Sequence, residues 1–295
     1  MTSLAPIGRR ALYGFAQSRR LETLVRATPP LERRAYKAAE RYLGGRTREA
    51  ALVSLASLHR QGFATGIDYF GEAQTDPAAV DAATTEYLQL NGDLAGLDEP
   101  ANVWLDLSNV GLDISAELCR RDLHRIVETL PAGSRLQVRA HDSSRTDRIL
   151  ELVTELHAEG APVIATLQAN LRRSRADAAR LVETGVPTLI VKGAHPELPA
   201  VAYPWGEQTD VAFLELAHQL HAGGVELSIG THDPVVRESL LAALDGVGVE
   251  MLLGIRTEDG HDLLRRGHRV RMYVPYGGEW LRYWLRRAGT AIASR

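Results

Sequence analysis

The sequence predicts a single (β/α)8 barrel of the TIM type, preceded by helices. Three observations lead to this fold class. Eight short apolar runs have the length and composition of buried strands, and most are followed by a longer stretch with helical periodicity. Alternating strands and helices imply parallel strand pairing, because each helix carries the chain back to the same end of the sheet. The chain has 295 residues, close to the roughly 250 that one such barrel needs.

The eight strand candidates alternate with helical stretches from residue 63 onward. They span Phe63–Ile67, Val103–Leu107, Arg135–Arg139, Pro162–Leu167, Pro187–Val191, Val225–Ile229, Val249–Leu253 and Arg269–Val274. A doubly wound open sheet is the main alternative. The first strand lacks the G-x-G-x-x-G turn of dinucleotide-binding sheets, and the G-x-x-x-x-G-K-S/T loop is absent as well, so the closed barrel is favoured.

Helices are also predicted before the first strand. Leu31–Leu43 places apolar residues at helical spacing and is followed by two glycines, which favour a helix end. Thr47 is an N-cap candidate for a second helix that runs to about Arg60. We therefore expect residues 1–61 to form a helical segment packed on the barrel and residues 62–295 to form the barrel itself. Crossover helices are predicted at Ser115–Leu130, Thr146–Glu159, Arg172–Glu183 and Val211–His221.

Composition narrows the classes of function. Apolar residues make up 45% of the chain, enough for a large core, and the net charge is only −3. A nucleic-acid binder would carry a basic stripe, and the sequence has none. The single cysteine, Cys119, excludes an internal disulfide and favours a reducing compartment. No apolar run reaches the roughly 18 residues that span a bilayer, so we expect a cytoplasmic protein, with peripheral membrane contact left open.

Polar side chains are concentrated where the predicted strands end. Function collects at these ends in a (β/α)8 barrel, because the carboxyl ends of all eight strands meet at one mouth. Each side chain alone has a structural explanation, and their convergence favours a binding site. These residues are Asp106, Arg139, His141, Gln168, Lys192, His195, Thr231, His232, Glu250, Arg256 and Tyr273.

The segment after the last strand carries a tyrosine and two arginines at helical spacing. Tyr283, Arg286 and Arg287 are spaced i, i+3 and i+4, which places them on one helix face. Two adjacent guanidiniums form a good clamp for a carboxylate, since each donates in a rigid fork. The alternative is a solvated basic helix end that the helix dipole favours. The spacing alone leaves both interpretations open.

Seven short segments between about Phe63 and Arg287 resemble, in order and spacing, segments of the proline dehydrogenase family. No single segment is decisive, but seven in sequence are hard to obtain by chance. The segments are Asp68-Tyr-Phe-Gly71-Glu72, Asn109-Val-Gly111-Leu112, Leu167-Gln168-Ala169, Val191-Lys192-Gly193-Ala194, Thr231-His232, Tyr273-Val-Pro-Tyr276-Gly277 with Trp280, and Tyr283-Trp-Leu-Arg286-Arg287.

The resemblance implies a (β/α)8 flavoenzyme whose last helix lies over the barrel mouth. Members of the family oxidise L-proline to pyrroline-5-carboxylate by transferring a hydride to N5 of FAD. The two arginines would hold the substrate carboxylate, the tyrosines would pack against its ring, and Glu72 would pair with Arg286 to gate access. Substrate binding is thereby implied for Glu72, Tyr273, Tyr283, Arg286 and Arg287. Contact with FAD is implied for Gln168, Lys192, Gly193, Thr231 and His232.

The departures from the family pattern lie at the chemical centre. Asp106 stands where the family has a lysine, and Arg139 and His141 stand where it has D-x-E. The signs of charge are exchanged, so an ion pair between Asp106 and Arg139 is expected, because an unpaired buried charge costs several kcal/mol. Asp106, Arg139 and His141 are the candidate catalytic residues. Leu189 replaces the arginine that the family places near FAD N5.

Three functions stay open on the sequence. The first, which we favour, is an FAD-dependent oxidoreductase acting on proline or a related amino acid, with quinone among the candidate electron acceptors. The second is a repurposed barrel without FAD and with non-redox chemistry, in which His141, Asp106, His195 and Glu250 would act as acid or base groups. Their spacing matches no metal motif, so no metal is expected. The third is a non-catalytic protein that binds an amino acid between the arginines and the tyrosines.

Overall fold

The computed structural model describes residues 19–71 and 73–293, except the side chains of residues 19–21, 286 and 288–293. Eight parallel strands form a closed barrel, which confirms the predicted fold class. Consecutive strands are neighbours, and the eighth strand closes on the first, with Ala64 opposite Arg271 and Tyr69 opposite Tyr276. The strands are β1 Ala64–Tyr69, β2 Ala101–Leu105, β3 Leu136–Val138, β4 Val163–Gln168, β5 Thr188–Val191, β6 Leu227–Gly230, β7 Gly248–Leu252 and β8 Val270–Tyr276.

Three strands, β2, β3 and β7, end earlier than the sequence predicts, and the first two differences place polar residues in loops at the barrel mouth. All five residues of β2 are buried, since a parallel strand is covered on both faces. The strand ends at Leu105, and Asp106 begins a short 3-10 helix at Leu107–Val110. Strand β3 covers only Leu136–Val138, so Arg139 and His141 lie in the loop that follows it.

In the described chain, a helix lies between each pair of consecutive strands. The four predicted crossover helices are present, and three further ones join β1 to β2, β6 to β7 and β7 to β8. The helix after β6 begins beside a carboxylate cap, because Oδ1 of Asp233 accepts hydrogen bonds from the amides of Val235 and Val236. The crossover helices are α4 Pro77–Leu94, α5 Ala116–Glu128, α6 Thr146–Ala158, α7 Ser174–Thr184, α8 Glu207–Ala222, α9 Pro234–Ala243 and α10 Thr257–Arg265.

The remaining helices of the described chain lie before β1 and after β8. They are α1 Arg19–Arg26, α2 Pro29–Ala39, α3 Arg48–Arg60 and α11 Trp280–Ala293. Thr47 caps α3 as predicted, accepting a hydrogen bond from the Ala50 amide at 3.4 Å. The chain between α2 and α3 pairs with the end of β8, and only glycine fits there, because a Cβ on Gly44 would lie 2.5 Å from Cγ1 of Val274.

The main hydrophobic core lies between the strands and the surrounding helices. Leu55 of α3, Ile67 of β1 and Leu123 of α5 are fully buried in it. Cys119 is buried in the same layer, and burial raises the pKa of its thiol to about 12, which fits a packing role. None of the described helices is both long and apolar enough to cross a membrane.

Candidate active site

A cavity of about 620 Å3 opens at the carboxyl ends of the strands. Its volume lies within the range that small molecules and cofactors occupy. The lining extends from Asp233 and Arg256, which are about one-third exposed, to Glu250, which is 6% exposed inside the barrel. Eight of the residues predicted to act in catalysis or in substrate or cofactor binding line the cavity, and so do the strand-end candidates His195, Glu250 and Arg256. The eight are Arg139, Gln168, Lys192, Gly193, Thr231, His232, Tyr273 and Arg287.

Asp68 holds two of these lining side chains in place. Its fully buried carboxylate accepts hydrogen bonds from Nη1 of Arg139, at 2.7 Å, and from the hydroxyl of Tyr273. Burial raises the pKa of Asp68, although the Arg139 charge and the Tyr273 hydrogen bond oppose the rise. Burial disfavours the charge of Arg139 too, but its neighbours Tyr273, Asp68 and Asp106 raise its pKa above the ordinary value. Arg139 is therefore a cation held at one side of the cavity, which we call the β8–β1 side (Asp68, Arg139 and Tyr273).

The predicted ion pair between Asp106 and Arg139 was wrong. Within the described residues, Arg139 pairs with Asp68, whose side chain is fully buried while that of Asp106 is 16% exposed. The guanidinium thus neutralises the carboxylate that water reaches least. Asp106 instead caps the 3-10 helix after β2, accepting hydrogen bonds from the amide (3.0 Å) and hydroxyl (2.7 Å) of Ser108. Burial would raise the pKa of Asp106, but the charges of Arg139 and His141 and the Ser108 hydrogen bonds lower it.

Two histidines stack beside the cavity. The rings of His141 and His195 lie 4.6 Å apart at an angle of 25°. Burial, with the nearby His141, lowers the pKa of His195 to about 4, so His195 is neutral at pH 7. His195 lines the cavity, whereas His141 and Asp106 are not among the described residues that do. In the described part of the chain, no group of three or more His, Cys, Asp or Glu side chains is arranged to hold a metal ion.

The opposite side of the cavity is formed by the residues that follow β4, β5 and β6, and we call it the β4–β6 side (Gln168, Lys192, Gly193, Thr231 and His232). Gln168 ties neighbouring loops together, because its Nε2 donates to the carbonyl of His141 at 2.6 Å and its Oε1 accepts from the Ala194 amide at 3.4 Å. Gly193 has a φ of +108°, and a Cβ there would lie 2.0 Å from Oδ1 of Asn170. Glycine thus lets the chain turn sharply after β5.

Lys192 lies at the rim of the β4–β6 side, between two carboxylates. Its Nζ is 2.5 Å from Oδ1 of Asp210 and 3.0 Å from Oδ2 of Asp233. Burial would raise the pKa of Asp233, but the Lys192 contact and the two capped amides of α9 lower it. Thr231 accepts a hydrogen bond from the Asp233 amide at 3.1 Å. The rim therefore carries one cation between two carboxylates.

His232 presents a buried donor to the same side. Its Nε2 accepts a hydrogen bond from the Leu252 amide at 3.0 Å, so the neutral ring carries its proton on Nδ1. Burial, with Arg287 and other nearby cations, lowers the pKa of His232 to about 4, which keeps the ring neutral. Nδ1 is buried and has no hydrogen-bond partner among the described residues. It is a donor available to a ligand.

The last helix, α11, brings an arginine to the cavity, whereas its tyrosine, Tyr283, packs beside the cavity and is not among the described residues that line it. The ring of Tyr283 lies 6.2 Å from that of Tyr273 and 5.1 Å from that of Phe70. Arg287 lies over the Tyr283 ring, 5.2 Å from its centroid, and lines the cavity. Its Nε is buried without a hydrogen-bond partner in the described chain. Glu72 and the side chain of Arg286 fall outside the described residues.

Helix α11 is attached to the helices that precede the barrel. Glu22 of α1 accepts hydrogen bonds from Nε of Arg282 at 2.6 Å and from Nη2 of Arg26 at 2.7 Å. Arg26 also donates to the carbonyl of Gly278 at 2.6 Å. The ring of Trp280 packs edge-on against Tyr36 of α2, with centroids 5.1 Å apart. The N-terminal helices therefore hold α11 over the mouth.

Three further residues shape the cavity outside the predicted substrate and cofactor contacts; of these, the sequence singled out Glu250 only as an acid or base group of a repurposed barrel. Asp68 lies near the end of β1, and its signal in the sequence was its place at the start of the family-like segment Asp68-Tyr-Phe-Gly71-Glu72. Trp104 on β2 packs edge-on against Tyr273 at 5.1 Å, and its Nε1 is buried without a partner among the described residues. Glu250 on β7 accepts hydrogen bonds at 3.1 Å from Nε2 of Gln137. Trp104 and Glu250 line the cavity, and Asp68 supports its wall.

Comparison with known proteins relates this architecture to one family. A family model described as proline dehydrogenase matches residues 51–289. Proline dehydrogenase from Deinococcus radiodurans is 30% identical over 292 residues, covering 95% of this chain and 92% of that protein. Proline dehydrogenase 1 from Bacillus subtilis subsp. natto is 29% identical over 258 residues, covering 84% of this chain and 85% of that protein.

Solved structures of proline utilization A (PutA) share the fold. The protein from Bdellovibrio bacteriovorus, inactivated by N-propargylglycine, matches with a TM-score of 0.77 and 19% identity over 88% of this chain. The protein from Corynebacterium freiburgense matches with a TM-score of 0.72 and 17% identity over 100% of this chain. The chain spans only 33% and 35%, respectively, of the length of these two structures.

Proposed function

Because this chain belongs to the proline dehydrogenase family, a family of oxidoreductases that act on CH–NH groups, we propose that it oxidises proline or a related amino acid with FAD as its cofactor. The observation that carries the proposal is the half-buried side chain of Arg287, which lines the cavity and whose buried Nε has no partner among the described residues. A buried donor without an acceptor is costly, and a substrate carboxylate would satisfy it.

The β8–β1 side of the cavity suits a small ring. Tyr273 and Tyr283 would form its walls. The carboxylate of Asp68 holds Tyr273 in place by accepting a hydrogen bond from the tyrosine hydroxyl. Arg139, held by the same carboxylate, would meet the part of the substrate farthest from Arg287. Rigid walls favour reaction, because the reacting atoms must be held about 3 to 3.5 Å apart. The exchanged charges at Asp106 and Arg139 widen the candidate substrates from proline to related amino acids.

The β4–β6 side suits a flavin. Leu189, Val191 and Leu252 offer apolar surface for a flat ring, and Nδ1 of His232 offers a buried donor. When bound, FAD would supply the acceptor for the two electrons and the hydrogen that leave the substrate. Leu189, in place of the family arginine, would give the ring an apolar contact. The residues that would hold the cofactor are Gln168, Lys192, Gly193, Thr231 and His232.

Other residues of the chain would shield and orient the reacting groups. Helix α11 would cover part of the mouth, where Tyr283 and Trp280 are buried, and would shield that part of the cavity from water. His195 would stay neutral beside the substrate, because burial lowers its pKa to about 4. A cytoplasmic location and a quinone as final electron acceptor are part of the same proposal.

Flavin retention followed by anaerobic reduction tests this function. The purified protein is mixed with FAD, freed of unbound flavin and treated without oxygen with L-proline and related cyclic amino acids. We expect a bound flavin whose visible absorbance is bleached by at least one of them. Arg287→Met should keep the flavin and lose bleaching at amino-acid concentrations that saturate the wild type. Arg265→Met, at a 70% exposed position on α10, is the matched control and should behave as the wild type.

Two outcomes would contradict the proposal. A protein that retains no flavin would point to a repurposed barrel with non-redox chemistry. A protein that retains flavin and binds amino acids, but is bleached by none of them, would point to a binding protein.

A further inference from the structure

Glu250 is a buried carboxyl group that the proposed reaction leaves without a task. It lies on β7 inside the barrel, is 6% exposed, and lines the cavity. Removing a carboxylate from water is costly unless charges or hydrogen bonds compensate. Its neighbours therefore decide its protonation.

The contacts of Glu250 compensate only in part. Nε2 of Gln137, on β3 across the barrel, donates to both carboxylate oxygens at 3.1 Å. Nε of Arg271, on the adjacent β8, lies 3.9 Å away, and this guanidinium donates to the Thr65 carbonyl instead. Burial raises the pKa of Glu250 to about 7, against the opposing effects of Arg271 and Gln137. The group can therefore gain or lose a proton near neutral pH.

The register of β7 places Glu250 below the β4–β6 side of the cavity. Side chains alternate along a strand, so Glu250 and Leu252 face the same way. The Leu252 amide donates to His232, which ties this part of β7 to a proposed cofactor contact. Arg287 comes from α11 over the mouth and Glu250 from inside the barrel, so Glu250 lies beneath the residues that would hold the flavin.

Few other charges face Glu250. Strand β8 contributes Arg271, β3 contributes the neutral Gln137, and β6 (Leu227–Gly230) carries no ionisable side chain. Around the rest of the cavity, Lys192 pairs with two aspartates and Arg139 pairs with Asp68. The other charged or titratable residues described in the lining are Arg139, Lys192, His195, Asp210, His232, Asp233, Arg256, Tyr273 and Arg287.

We propose that Glu250 couples reduction of the flavin to the uptake of one proton, an inference that rests on the proposed function. The substrate delivers two electrons and one proton as a hydride, which leaves the reduced flavin with a negative charge. The carboxylate of Glu250 then takes one proton from solvent and becomes a neutral acid. A nearby negative charge strengthens proton binding to a carboxylate, so reduction favours the neutral acid. An ionised Glu250 in turn lowers the reduction potential.

The reduction potential of the bound FAD, measured against pH, tests the inference. We compare the wild type, Glu250→Gln and Glu226→Gln from about pH 5 to pH 9, which brackets the value of about 7 for Glu250. Glu226→Gln is the matched control, because Glu226 is 47% exposed, pairs with Arg135 and lies at the opposite end of the barrel. Wild type and control should have the lower potential at high pH and coincide with Glu250→Gln in acid. In the pH range where the curves diverge, the potential of the wild type and of the control should fall more steeply with pH than that of Glu250→Gln, by up to about 30 mV per pH unit. One pH unit is a tenfold change in proton concentration, and for a two-electron couple a tenfold change corresponds to about 30 mV.

Failure of the proposed function and failure of the inference about Glu250 give different results. A protein that binds no FAD overturns the proposed function and this inference together. Parallel curves for wild type and Glu250→Gln, with FAD bound, overturn the inference alone. A second measurement needs no variant: reduction of the wild-type flavin in weakly buffered solution, followed with a pH indicator. It should take up one more proton per flavin just above pH 7 than in acid, and equal uptake would overturn the inference even if Glu250→Gln failed to fold.

Discussion

Replacing Asp68 by asparagine removes the carboxylate that holds both Arg139 and Tyr273. The side chain of Asp68 is fully buried, and it accepts the 2.7 Å hydrogen bond from Arg139 and the hydroxyl of Tyr273. Asparagine has nearly the same size, so the substitution removes charge rather than volume. Arg139 would then lack its direct counterion.

The expected loss of stability follows from the geometry. Breaking a buried ion pair by removing one partner costs about 3 to 5 kcal/mol. The value here should lie near the lower bound, about 3 kcal/mol, because Arg139 is 21% exposed and the charge of Asp106 also acts on it. Asp98→Asn is the matched control, since Asp98 is exposed in the loop after α4, and its stability should equal that of the wild type.

A double-mutant cycle in denaturant measures this coupling. The free energy of unfolding is determined for the wild type, Asp68→Asn, Arg139→Gln and the double variant. Because the double variant leaves neither charge unpaired, it should be more stable than the sum of the single losses predicts, by about 2 kcal/mol. Additive losses would refute the ion pair as the feature that orders this wall.

Three further predictions concern the same site. Tyr273→Phe should lower the free energy of unfolding by about 1.5 to 3 kcal/mol, because it removes a hydrogen bond to a charged group; an unchanged denaturation midpoint would contradict this. Glu22→Gln should raise KM several-fold, because it loosens the link between α1 and α11, and should lower the free energy of unfolding by about 1.5 to 3 kcal/mol, because Glu22 and Arg282 are only 11% and 12% exposed. Steady-state kinetics decide, and an unchanged KM would argue against a role for that link. Glu250→Gln should remove a pH dependence of stability, because the pKa of Glu250 is about 7 in the folded protein and 4.5 ordinarily. The contribution of Glu250 to wild-type stability is therefore full below about pH 4.5 and is lost as the pH rises to about 7. Relative to the variant, the wild type should lose roughly 3 kcal/mol over this range. The difference between the two proteins is the quantity to measure, because His195 and His232 have lowered pKa values and titrate with the opposite sign.

The strands could be predicted because parallel strands are buried on both faces and read as continuous apolar runs. Their ends were less certain, since a short apolar run does not show where the chain leaves the sheet. Asp106 follows an apolar stretch and looked like part of β2, yet its hydrogen bonds to Ser108 make it a cap. Local side-chain chemistry, which periodicity does not report, decides such boundaries.

The predicted residues on the β4–β6 side do converge, because each follows a strand and all strands end at one mouth. Pairing across the barrel could not be predicted in the same way. Arg139 reaches Asp68 on a strand that is not its neighbour, and this depends on side-chain length and on which carboxylate is more deeply buried. Similarly, Glu22 and Arg282 are 260 positions apart, and no local pattern links them.

The most direct test of the central claim is a single-turnover experiment on the FAD-loaded protein without oxygen. L-proline and related cyclic amino acids are added, the flavin absorbance is followed, and the mass of the product is measured by mass spectrometry. We predict bleaching in proportion to a product that is lighter than its amino acid by two hydrogens. Flavin that stays oxidised with every amino acid, or bleaching without such a product, would contradict the account.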